Sequence, residues 1–422
     1  MVGRGLIKPD ELVRIHEIGE KYDELRPELR GAHAIAQQAV EANREERARI
    51  KAEKKAAAEQ RKRDHAARVQ ENKRTDIVFL GRGLSAGLAD RRSNVERLQL
   101  NGLPILSTPS DVAQALKLEV RHLRWLAFHA EASTVSHYIQ FIVPKRSGGE
   151  RLLSAPHRKL ADVQHWILEN ILNKIGPHSA AHGFVKGRSI RTNAAPHVEA
   201  AVVVNCDLTD FFPSIHVHRV IGLFKQIGYS PAVATILALL VTEAPRRKVT
   251  YNKKAWFVAT GKRSLPQGAC TSPAISNLIG RSLDARLHGI SGKLGWTYTR
   301  YADDLSFSTQ NDQAQVGYLL ARIRHITNDE NFSVNEKKTR VLRQAARQNV
   351  TGIVVNKKLS VNRTTRRKLR AIIHNAKRDG LVRQNRVRRP NFAGWIGGMI
   401  SFVTMVNPEQ GKKLRKQSEG LL

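Results

Sequence analysis

The chain has 422 residues, and its 71 Lys and Arg outnumber 37 Asp and Glu, for a net charge of +34. This charge predicts a polyanionic partner, above all nucleic acid, and this length predicts several domains or subdomains. The longest apolar run, 231–241, is too short to cross a bilayer, the N-terminus lacks signal-peptide features, and two cysteines cannot form a disulfide framework. We therefore expect a cytoplasmic protein without a membrane partner.

The first 76 residues predict a charged helical extension. Residues 41–74 hold twelve Lys or Arg, seven Asp or Glu and no aromatic residue, and most are good helix formers. A solvated helix and an arm that binds RNA or protein would share this composition. Apolar heptads are too sparse to predict a coiled coil. Globular sequence begins at about residue 75.

A β-hairpin and a basic loop follow a capped helix that is predicted to begin near Pro109. The hairpin pairs 138–145 with 151–156 across a Gly-rich turn. Lys145 and Arg151 flank this turn and are placed to reach a phosphate chain, although such residues are often only solvated. After a helix over 160–175, the loop 181–190 offers Arg188 and the Ser189 hydroxyl to phosphate, and its glycines allow close approach.

Asp207 ends an almost continuous apolar run, 200–206, which is typical of a strand buried on both faces. A carboxylate in that position is costly unless it meets a cation. Phe211 and Phe212 follow closely, and either plain core packing or a pocket wall accounts for each of them. Further on, the turn 264–273 opens a helix expected over 274–287, and Gln267 in that turn is able to hydrogen-bond a base edge.

Asp303 and Asp304 interrupt the strand-like pattern of residues 298–308, and Asp is disfavoured in strands, so the sequence places them at a hairpin tip. An isolated Asp-Asp pair is usually a solvated turn. Here Asp207 is the natural third ligand for a hard divalent cation such as Mg²⁺. Three carboxylates on two strands and a basic surface predict two-metal phosphoryl transfer, although a nuclease uses the same ingredients.

The C-terminal part is predicted to be helical and basic. A helix is expected over 316–328, a turn at 335–339 and one short strand over 349–356. Residues 357–389 carry thirteen Lys or Arg and a single acid, Asp379, for a net charge of +12, which favours contact with nucleic acid over ordinary solvation. An apolar, Gly-containing segment over 392–406 is expected to close a small helical domain.

The motifs together resemble the reverse transcriptases. Asp207-x-x-x-Phe211-Phe212, Leu265-Pro266-Gln267-Gly268 and Tyr301-Ala302-Asp303-Asp304 occur in the order of that family's palm, and the Lys145–Arg151 hairpin and Gly183–Ser189 are similar to its fingers motifs. Residues 335–339 match the segment after the palm hairpin. Asn193-Ala-x-x-His197 and Val350-Thr351-Gly352 are similar to signatures of bacterial retron reverse transcriptases.

This resemblance implies an α+β right-hand polymerase with an antiparallel palm sheet and a helical thumb. The implied ranges are the N-terminal extension (1–76), fingers (77–200), palm interleaved with fingers (201–345) and basic helical thumb (346–422). It also implies two Mg²⁺ ions as cofactors. The ligands and catalytic groups would be Asp207, Asp303 and Asp304, with the Leu208 backbone carbonyl as a further ligand.

The other implied roles concern substrate and RNA. Phe212 would exclude a ribose 2′-OH, Lys145 and Arg151 would grip the triphosphate, Gln267 would lie near the templating pair, and Lys338, or as second choice Lys337, would protonate pyrophosphate. The expected RNA-binding residues are Arg188, Asn193, His197, Val350, Thr351, Gly352, Arg366, Arg367, Lys368 and Arg370.

The resemblance further implies a specific reaction and specific partners. Retron enzymes bind a cognate non-coding RNA, prime from a guanosine 2′-OH within it, and use dNTPs to make multicopy single-stranded DNA that stays joined to the RNA. Such systems resemble anti-phage defence modules with a separate effector protein.

Two alternatives remain open at this stage. A group II intron maturase would usually carry a further maturation domain and often a Cys-containing endonuclease, and only about seventy residues, without Cys, follow Gly352. A non-catalytic RNA-binding scaffold would keep the fold and bind RNA but incorporate no nucleotide. Primer extension separates the scaffold from the polymerase.

Overall fold

A computed structural model describes residues 2–144, 148 and 150–421, with only the backbone of Leu29 and Lys73. The chain divides into two compact units, Met1–Arg74 and Thr75–Leu422. The helices are, in chain order, α1 (Pro9–Thr75), α2 (Val95–Leu100), α3 (Pro109–Ala115), α4 (Val120–Ala127), α5 (Arg158–Asn170), α6 (Ile190–Ala194), α7 (Val217–Ile227), α8 (Pro231–Val241), α9 (Ser272–Ile279), α10 (Arg281–Lys293), α11 (Val316–Asp329), α12 (Arg363–Asp379), α13 (Leu381–Gln384), α14 (Phe392–Val406) and α15 (Pro408–Ser418).

All paired strands in the described residues are antiparallel. They are β1 (Ala132–Ser133), β2 (Tyr138–Pro144), β3 (Glu150–Pro156), β4 (Val202–Asp207), β5 (Arg246–Tyr251), β6 (Lys254–Ala259), β7 (Thr297–Tyr301), β8 (Asp304–Thr309), β9 (Arg340–Arg343), β10 (Asn349–Val350) and β11 (Ile353–Val354). Four strands form the sheet β7-β8-β4-β9, three form β1-β6-β5, and β2-β3 and β10-β11 are separate hairpins. Mixed helices and antiparallel sheets confirm the predicted α+β class.

The unit Met1–Arg74 is dominated by α1, whose described side chains are almost all exposed. Its Ala, Glu, Lys and Arg content favours helix without a packed face. The predicted long charged helix is therefore present, and it extends further towards the N-terminus than the 41–74 window on which the prediction was based.

Strand β4 lies in the middle of the four-stranded sheet and is buried on both faces. Val202 and Val204 pack into the main core, which also contains helix α8, where every residue from Ala232 to Val241 is buried. Val203 points to the other side and joins a second core formed with α12, α14 and α15. An antiparallel sheet can leave one face in water, and here the second core covers it.

The structure corrects two local predictions. Residues 274–287 do not form one helix, because α9 ends at Ile279 and α10 begins at Arg281. Gly280 lies between them, and a Cβ there would stand 3.1 Å from Arg300 Nη2, so glycine leaves room for that guanidinium. Residues 349–356 form two short paired strands, β10 and β11, instead of one strand. The boundaries between fingers, palm and thumb stay predictions.

Candidate active site

Asp207, Asp303 and Asp304 lie at the same end of the four-stranded sheet, where β4 ends and β8 begins. Because β4 and β8 are antiparallel, the end of one meets the start of the other, and Asp207 pairs directly with Asp304. The Leu208 amide donates a hydrogen bond of 3.0 Å to the Asp303 carbonyl. The backbone therefore fixes the hairpin tip against the end of β4.

The tip of the β7–β8 hairpin is tightly held from the side of the 181–190 loop. Ala302 has a left-handed φ of 56° in the turn, which is uncommon for a residue with a Cβ. The His182 amide donates to the Arg300 carbonyl at 2.7 Å. A Cβ on Gly183 would lie 2.6 Å from the Ala302 nitrogen. Glycine at 183 thus lets this loop lie directly against the tip.

Behind the tip, Arg300 forms a fully buried ion pair with Asp284 of α10. The Nε–Oδ1 and Nη2–Oδ2 distances are both 2.7 Å, a bidentate geometry. Arg300 Nη1 also donates to the Ala302 carbonyl at 3.0 Å and to Asn277 Oδ1 at 3.1 Å. Asn277 in turn donates to the Gly183 carbonyl at 2.8 Å. One guanidinium therefore joins both helices to the turn that carries the carboxylates.

Negative charge accumulates at the hairpin tip. Burial raises the pKa of Asp303, and the Asp207 carboxylate raises it further, while Lys338 and Arg151 oppose the change. Loss of hydration at the hairpin tip raises the pKa of Asp304 to about 6, and repulsion from the charges of Asp303 and Asp207 contributes to this rise. The site therefore favours a cation.

A cation from the protein already binds Asp207. Lys338 Nζ lies 3.0 and 2.9 Å from the two carboxylate oxygens, and the hydrogen bond from this ammonium to Asp207 raises the pKa of Lys338. The backbone N–H of Asn335 also donates a hydrogen bond of 2.7 Å to the backbone carbonyl of Asp207. The short 3₁₀ turn Glu336–Lys338 places these groups.

The donor set fits divalent metal ions, because hard carboxylate oxygens with unbalanced negative charge are the ligands that Mg²⁺ prefers. Among the residues that the structure describes, no three His, Cys, Asp or Glu side chains are gathered closely enough to hold a metal ion as they stand.

The end of the sheet that carries the aspartates opens into a cleft of about 1260 Å³. Its lining includes Asp207, Asp303, Phe212, Gln267, Arg151 and Lys338. The structure thus brings together all the predicted substrate-binding residues except Lys145, which lies outside the described residues. The Ser154 amide donates to the Gln267 carbonyl at 2.7 Å, so β3 is joined to the turn at 265–268. The charge of Arg151 partly opposes the rise in the pKa of Asp303, which places Arg151 within electrostatic reach of the carboxylates.

Comparison with known proteins identifies this arrangement. The family model "Reverse transcriptase (RNA-dependent DNA polymerase)" matches residues 143–365. Retron Mx162 reverse transcriptase of Myxococcus xanthus is 40% identical, with 87% of this chain and 79% of that protein covered. The chain belongs to the retron reverse transcriptases. It is thus an RNA-directed DNA polymerase with the right-hand polymerase fold that the motifs predicted.

Two further relatives of this reverse transcriptase agree. Retron Mx65 reverse transcriptase of Myxococcus xanthus is 42% identical over 78% of this chain and 75% of its own. Retron Ec86 reverse transcriptase of Escherichia coli is 32% identical over 76% of this chain and 91% of its own. Among solved structures, telomerase from Candida albicans with a fragment of telomeric RNA aligns with a TM-score of 0.39 at 11% identity, covering 66% of this chain and 56% of that one, too low to support an argument. Within the described part of the enzyme, no helix is long and apolar enough to cross a membrane.

The retron signature at 193–197 is internal. His197 is fully buried, and its Nδ1 and Nε2 each lie 2.7 Å from a hydroxyl, those of Ser308 in β8 and Thr299 in β7. Burial lowers the pKa of His197 to about 4, so the ring is neutral near pH 7. Asn193 is also fully buried. The predicted direct contact of these two side chains with RNA is therefore corrected: they pack inside the enzyme and support the hairpin.

The second signature, 350–352, contacts the first. Thr351 and Gly352, with φ of 45° and 82°, form the tight turn between β10 and β11. Asn193 Nδ2 lies 3.5 Å from Thr351 Oγ1. Val350 is fully buried in the second core, so its predicted contact with RNA is corrected as well. The two signatures therefore connect the β7–β8 hairpin with the second core, which contains the C-terminal helices. Contact of Thr351 or Gly352 with RNA stays a prediction.

The basic residues predicted to bind RNA differ in availability. Arg188 Nη1 donates to the carbonyls of Ser179 and Ala181 at 2.6 and 2.5 Å, so part of this guanidinium organises its own loop. Arg366 Nε donates to the Val361 carbonyl at 2.9 Å. Three residues of the set are exposed on α12, namely Arg367, Lys368 and Arg370.

Sequence reasoning missed Arg300, Asp284 and Asn277. An Arg directly before the Tyr-Ala-Asp-Asp motif, in a strand whose other residues are uncharged Thr and Tyr, was the available signal, because a charge buried there needs a partner. Its partner lies sixteen residues earlier on a helix, and only the fold shows that pairing.

Proposed function

We propose that this enzyme binds a cognate non-coding RNA, primes from a guanosine 2′-OH within it, and copies part of it into multicopy single-stranded DNA. Its membership of the retron reverse transcriptases supports this reaction, as do the signatures at 193–197 and 350–352. The observation that carries the catalytic part is the direct pairing of Asp207 with Asp304 at the edge of the cleft.

We propose that Asp207 and Asp303, with Asp304 and the Leu208 carbonyl in support, hold two Mg²⁺ ions. When bound, these ions would activate the attacking hydroxyl and neutralise charge on the triphosphate. The raised pKa values of Asp303 and Asp304 support this assignment, because a bound divalent cation would favour their charged forms. Lys338, which binds Asp207 in the structure, would protonate the departing pyrophosphate.

The walls of the cleft would select and orient the nucleotide. Phe212 is half-buried and its ring centroid lies 5.5 Å from that of Phe211, so it has a firm backing and would block a ribose 2′-OH. Arg151 would bind the triphosphate together with Lys145. Gln267 would contact the templating pair from the turn that β3 supports.

The basic C-terminal part would read the shape of the RNA. The one-signed charge of 357–389 supports phosphate contact, and Arg367, Lys368 and Arg370 are the exposed candidates on α12. We place the reaction in the cytoplasm, as part of an anti-phage system in which the RNA–DNA product and the enzyme restrain a separate effector protein.

The catalytic assignment is tested with Asp303→Asn and, as a control, the same substitution at Asp312, an exposed residue after β8. Asp303→Asn should abolish Mg²⁺-dependent extension of a primed RNA while leaving RNA affinity nearly unchanged. Asp312→Asn should extend like the wild type. Normal DNA yield from Asp303→Asn would refute the metal assignment.

The retron reaction is tested by expressing the enzyme with its flanking locus and sequencing the nucleic acid that copurifies. A DNA of single length, absent from Asp303→Asn and released from RNA by a 2′,5′-debranching enzyme, is expected. If the enzyme extends a primer in vitro but no such DNA is found in cells, its polymerase activity would stand and the retron mode of priming would be refuted.

A further inference from the structure

The β5–β6 hairpin is a basic element that lies outside the family motifs. Residues 247–255 are all exposed, and 246–262 contain six Lys or Arg and no acid. Asn252 and Lys253, with φ of 48° and 59°, make a two-residue turn of the kind that closes tight hairpins. The hairpin therefore presents regular, charged strands to its surroundings.

The base of this hairpin is fixed to the wall of the active-site cleft. Glu243 and Ser264 exchange backbone hydrogen bonds of 2.9 and 3.0 Å, and both residues line the cleft. Arg246 Nε donates to Glu243 Oε1 at 2.7 Å, and its Nη2 donates to the Ala130 carbonyl at 2.8 Å. Arg246 therefore anchors the base of the hairpin through hydrogen bonds within the protein.

The strand register separates the remaining charges into two faces. Arg247 pairs with Val258, and Tyr251 pairs with Lys254, and these residues alternate with the opposite face, which carries Lys248. One face therefore holds Arg247, Lys254 and Tyr251, whose side chain is 67% exposed. We call it the Tyr251 face. Cations beside an exposed aromatic ring are what proteins use to bind single-stranded nucleic acid.

The position of the Tyr251 face relates it to the template. After Ser264 the chain enters the turn that contains Gln267, the residue assigned above to the templating pair. An RNA strand that leaves this part of the cleft meets the hairpin that begins and ends at the same wall. The strong positive charge of the whole chain is complementary to such a strand.

We infer that the Tyr251 face binds single-stranded template RNA, with Arg247 and Lys254 on phosphates and Tyr251 stacked on a base. This inference rests on the proposed function, because it takes the RNA being copied as the ligand. A basic residue on an edge strand, as Arg247 is on β5, also discourages pairing with another chain, which is the competing explanation of that charge.

The test measures the affinity of the full-length enzyme, freed of copurified nucleic acid, for a labelled, unstructured single-stranded RNA over a series of salt concentrations. The logarithm of the association constant falls linearly with the logarithm of the salt concentration. Arg247→Gln/Lys254→Gln should make this fall less steep by about 1.4, because each phosphate contact on a single strand contributes about 0.7 to its steepness. Tyr251→Ala should weaken binding about tenfold without changing the slope.

The matched control is Lys225→Gln/Lys248→Gln, which removes two exposed charges, one on α7 and one on the opposite face of the hairpin. It should leave the slope near that of the wild type. A slope change as large as that of Arg247→Gln/Lys254→Gln would overturn the inference. Unchanged RNA binding, with aggregation of Arg247→Gln/Lys254→Gln in light scattering, would establish the edge-strand explanation instead.

Extension of a primed RNA by the wild type, measured in the same preparation, separates the two proposals. Absence of synthesis by the wild type would refute the proposed function. Synthesis by the wild type, together with variants that bind RNA as tightly and with the same slope, would refute only the role of the Tyr251 face.

Discussion

Two hairpins of this enzyme, β7–β8 and β5–β6, share a simple antiparallel design but differ in their surroundings. Strand β8 is almost entirely buried, and the β7–β8 tip is held by Arg300, Gly183 and the Leu208 amide. The β5–β6 hairpin is held near its base by Arg246 and by the pairing of β6 with β1, and most of β5 and the turn are exposed.

The difference shows how one local structure serves two kinds of task. The carboxylates proposed to hold metal ions would need positions fixed to a fraction of an ångström, which the buried strands and the hydrogen bonds behind the tip provide. Contacts with a flexible polyanion need charge and reach instead, and an exposed hairpin supplies both. Variants that disturb each hairpin should therefore differ in the property they change.

The largest effect is expected from breaking the buried ion pair behind the β7–β8 tip. Asp284→Asn leaves the Arg300 guanidinium without a compensating charge, and should lower the free energy of unfolding by about 3–5 kcal/mol. Asp329→Asn, which breaks the exposed pair with Arg286, should lower it far less, because solvent screens exposed charges. Urea unfolding measures both.

A double variant sharpens this prediction. Arg300→Met/Asp284→Leu should regain most of the lost stability, because an apolar pair of similar volume can replace a buried ion pair. DNA synthesis should nevertheless fall well below that of the wild type, since replacing Arg300 removes the hydrogen-bond donor to the Ala302 carbonyl. Full activity in the double variant would show that Arg300 supports folding alone.

The second prediction concerns acid stability of the same hairpin. The pKa of His197 is about 4 in the folded enzyme and 6.5 as the reference value, so the unfolded chain binds this proton first. Stability from the neutral ring is therefore complete above pH 6.5 and is lost as the pH falls towards 4, by up to about 3 kcal/mol.

Unfolding free energies at a series of pH values check this dependence. His197→Gln should be less stable at pH 7 but should lose less stability than the wild type on acidification. His122→Gln, at an exposed position on α4, should follow the wild-type curve. Parallel curves for wild type and His197→Gln would contradict the buried-ring explanation.

The third prediction tests the cleft wall beside β4. Phe212→Ala should raise incorporation of ribonucleotides relative to deoxynucleotides by about tenfold or more, because the obstacle beside the sugar is removed. Phe224→Leu, a fully buried position on α7 outside the cleft lining, should reduce stability and leave this ratio unchanged. Single-nucleotide extension kinetics with dNTP and rNTP measure the ratio, and an unchanged ratio in Phe212→Ala would place the gate elsewhere.

The smallest effects compare the two turns directly. Ala302 and Lys253 both have left-handed φ, 56° and 59°, so glycine at either should add up to about 1 kcal/mol of stability. Ala302→Gly should also reduce DNA synthesis a few-fold by loosening the tip, whereas Lys253→Gly should not at saturating RNA. Equal activity in both variants would mean that the rigidity of the catalytic turn does not limit the reaction.

The structural predictions that succeeded from sequence were local. An apolar run ending in Asp207 indicated a buried strand, and alternation around Asp303 and Asp304 indicated a hairpin, because side-chain periodicity reports which face of a strand is buried. The charged composition of the first 76 residues predicted a long exposed helix. Each of these depends on neighbours in the chain.

The errors came from contacts between distant residues. Asn193 and His197 have polar side chains in a segment of mixed character, and nothing in their neighbourhood shows that Thr299, Ser308 and Thr351 surround them. The break at Gly280 likewise depends on Arg300, twenty residues later.

By itself, then, the sequence determined the family, the order of the motifs, the strand ends that carry the carboxylates and the polyanionic character of the partner. Tertiary structure alone decided that the retron signatures at 193–197 and 350–352 meet inside the protein, that Arg300 holds the β7–β8 turn, and that the β5–β6 turn and the residues beside it are exposed. The reason is physical: composition and periodicity register local conformation, whereas the burial and pairing of a polar side chain depend on which distant segments pack around it.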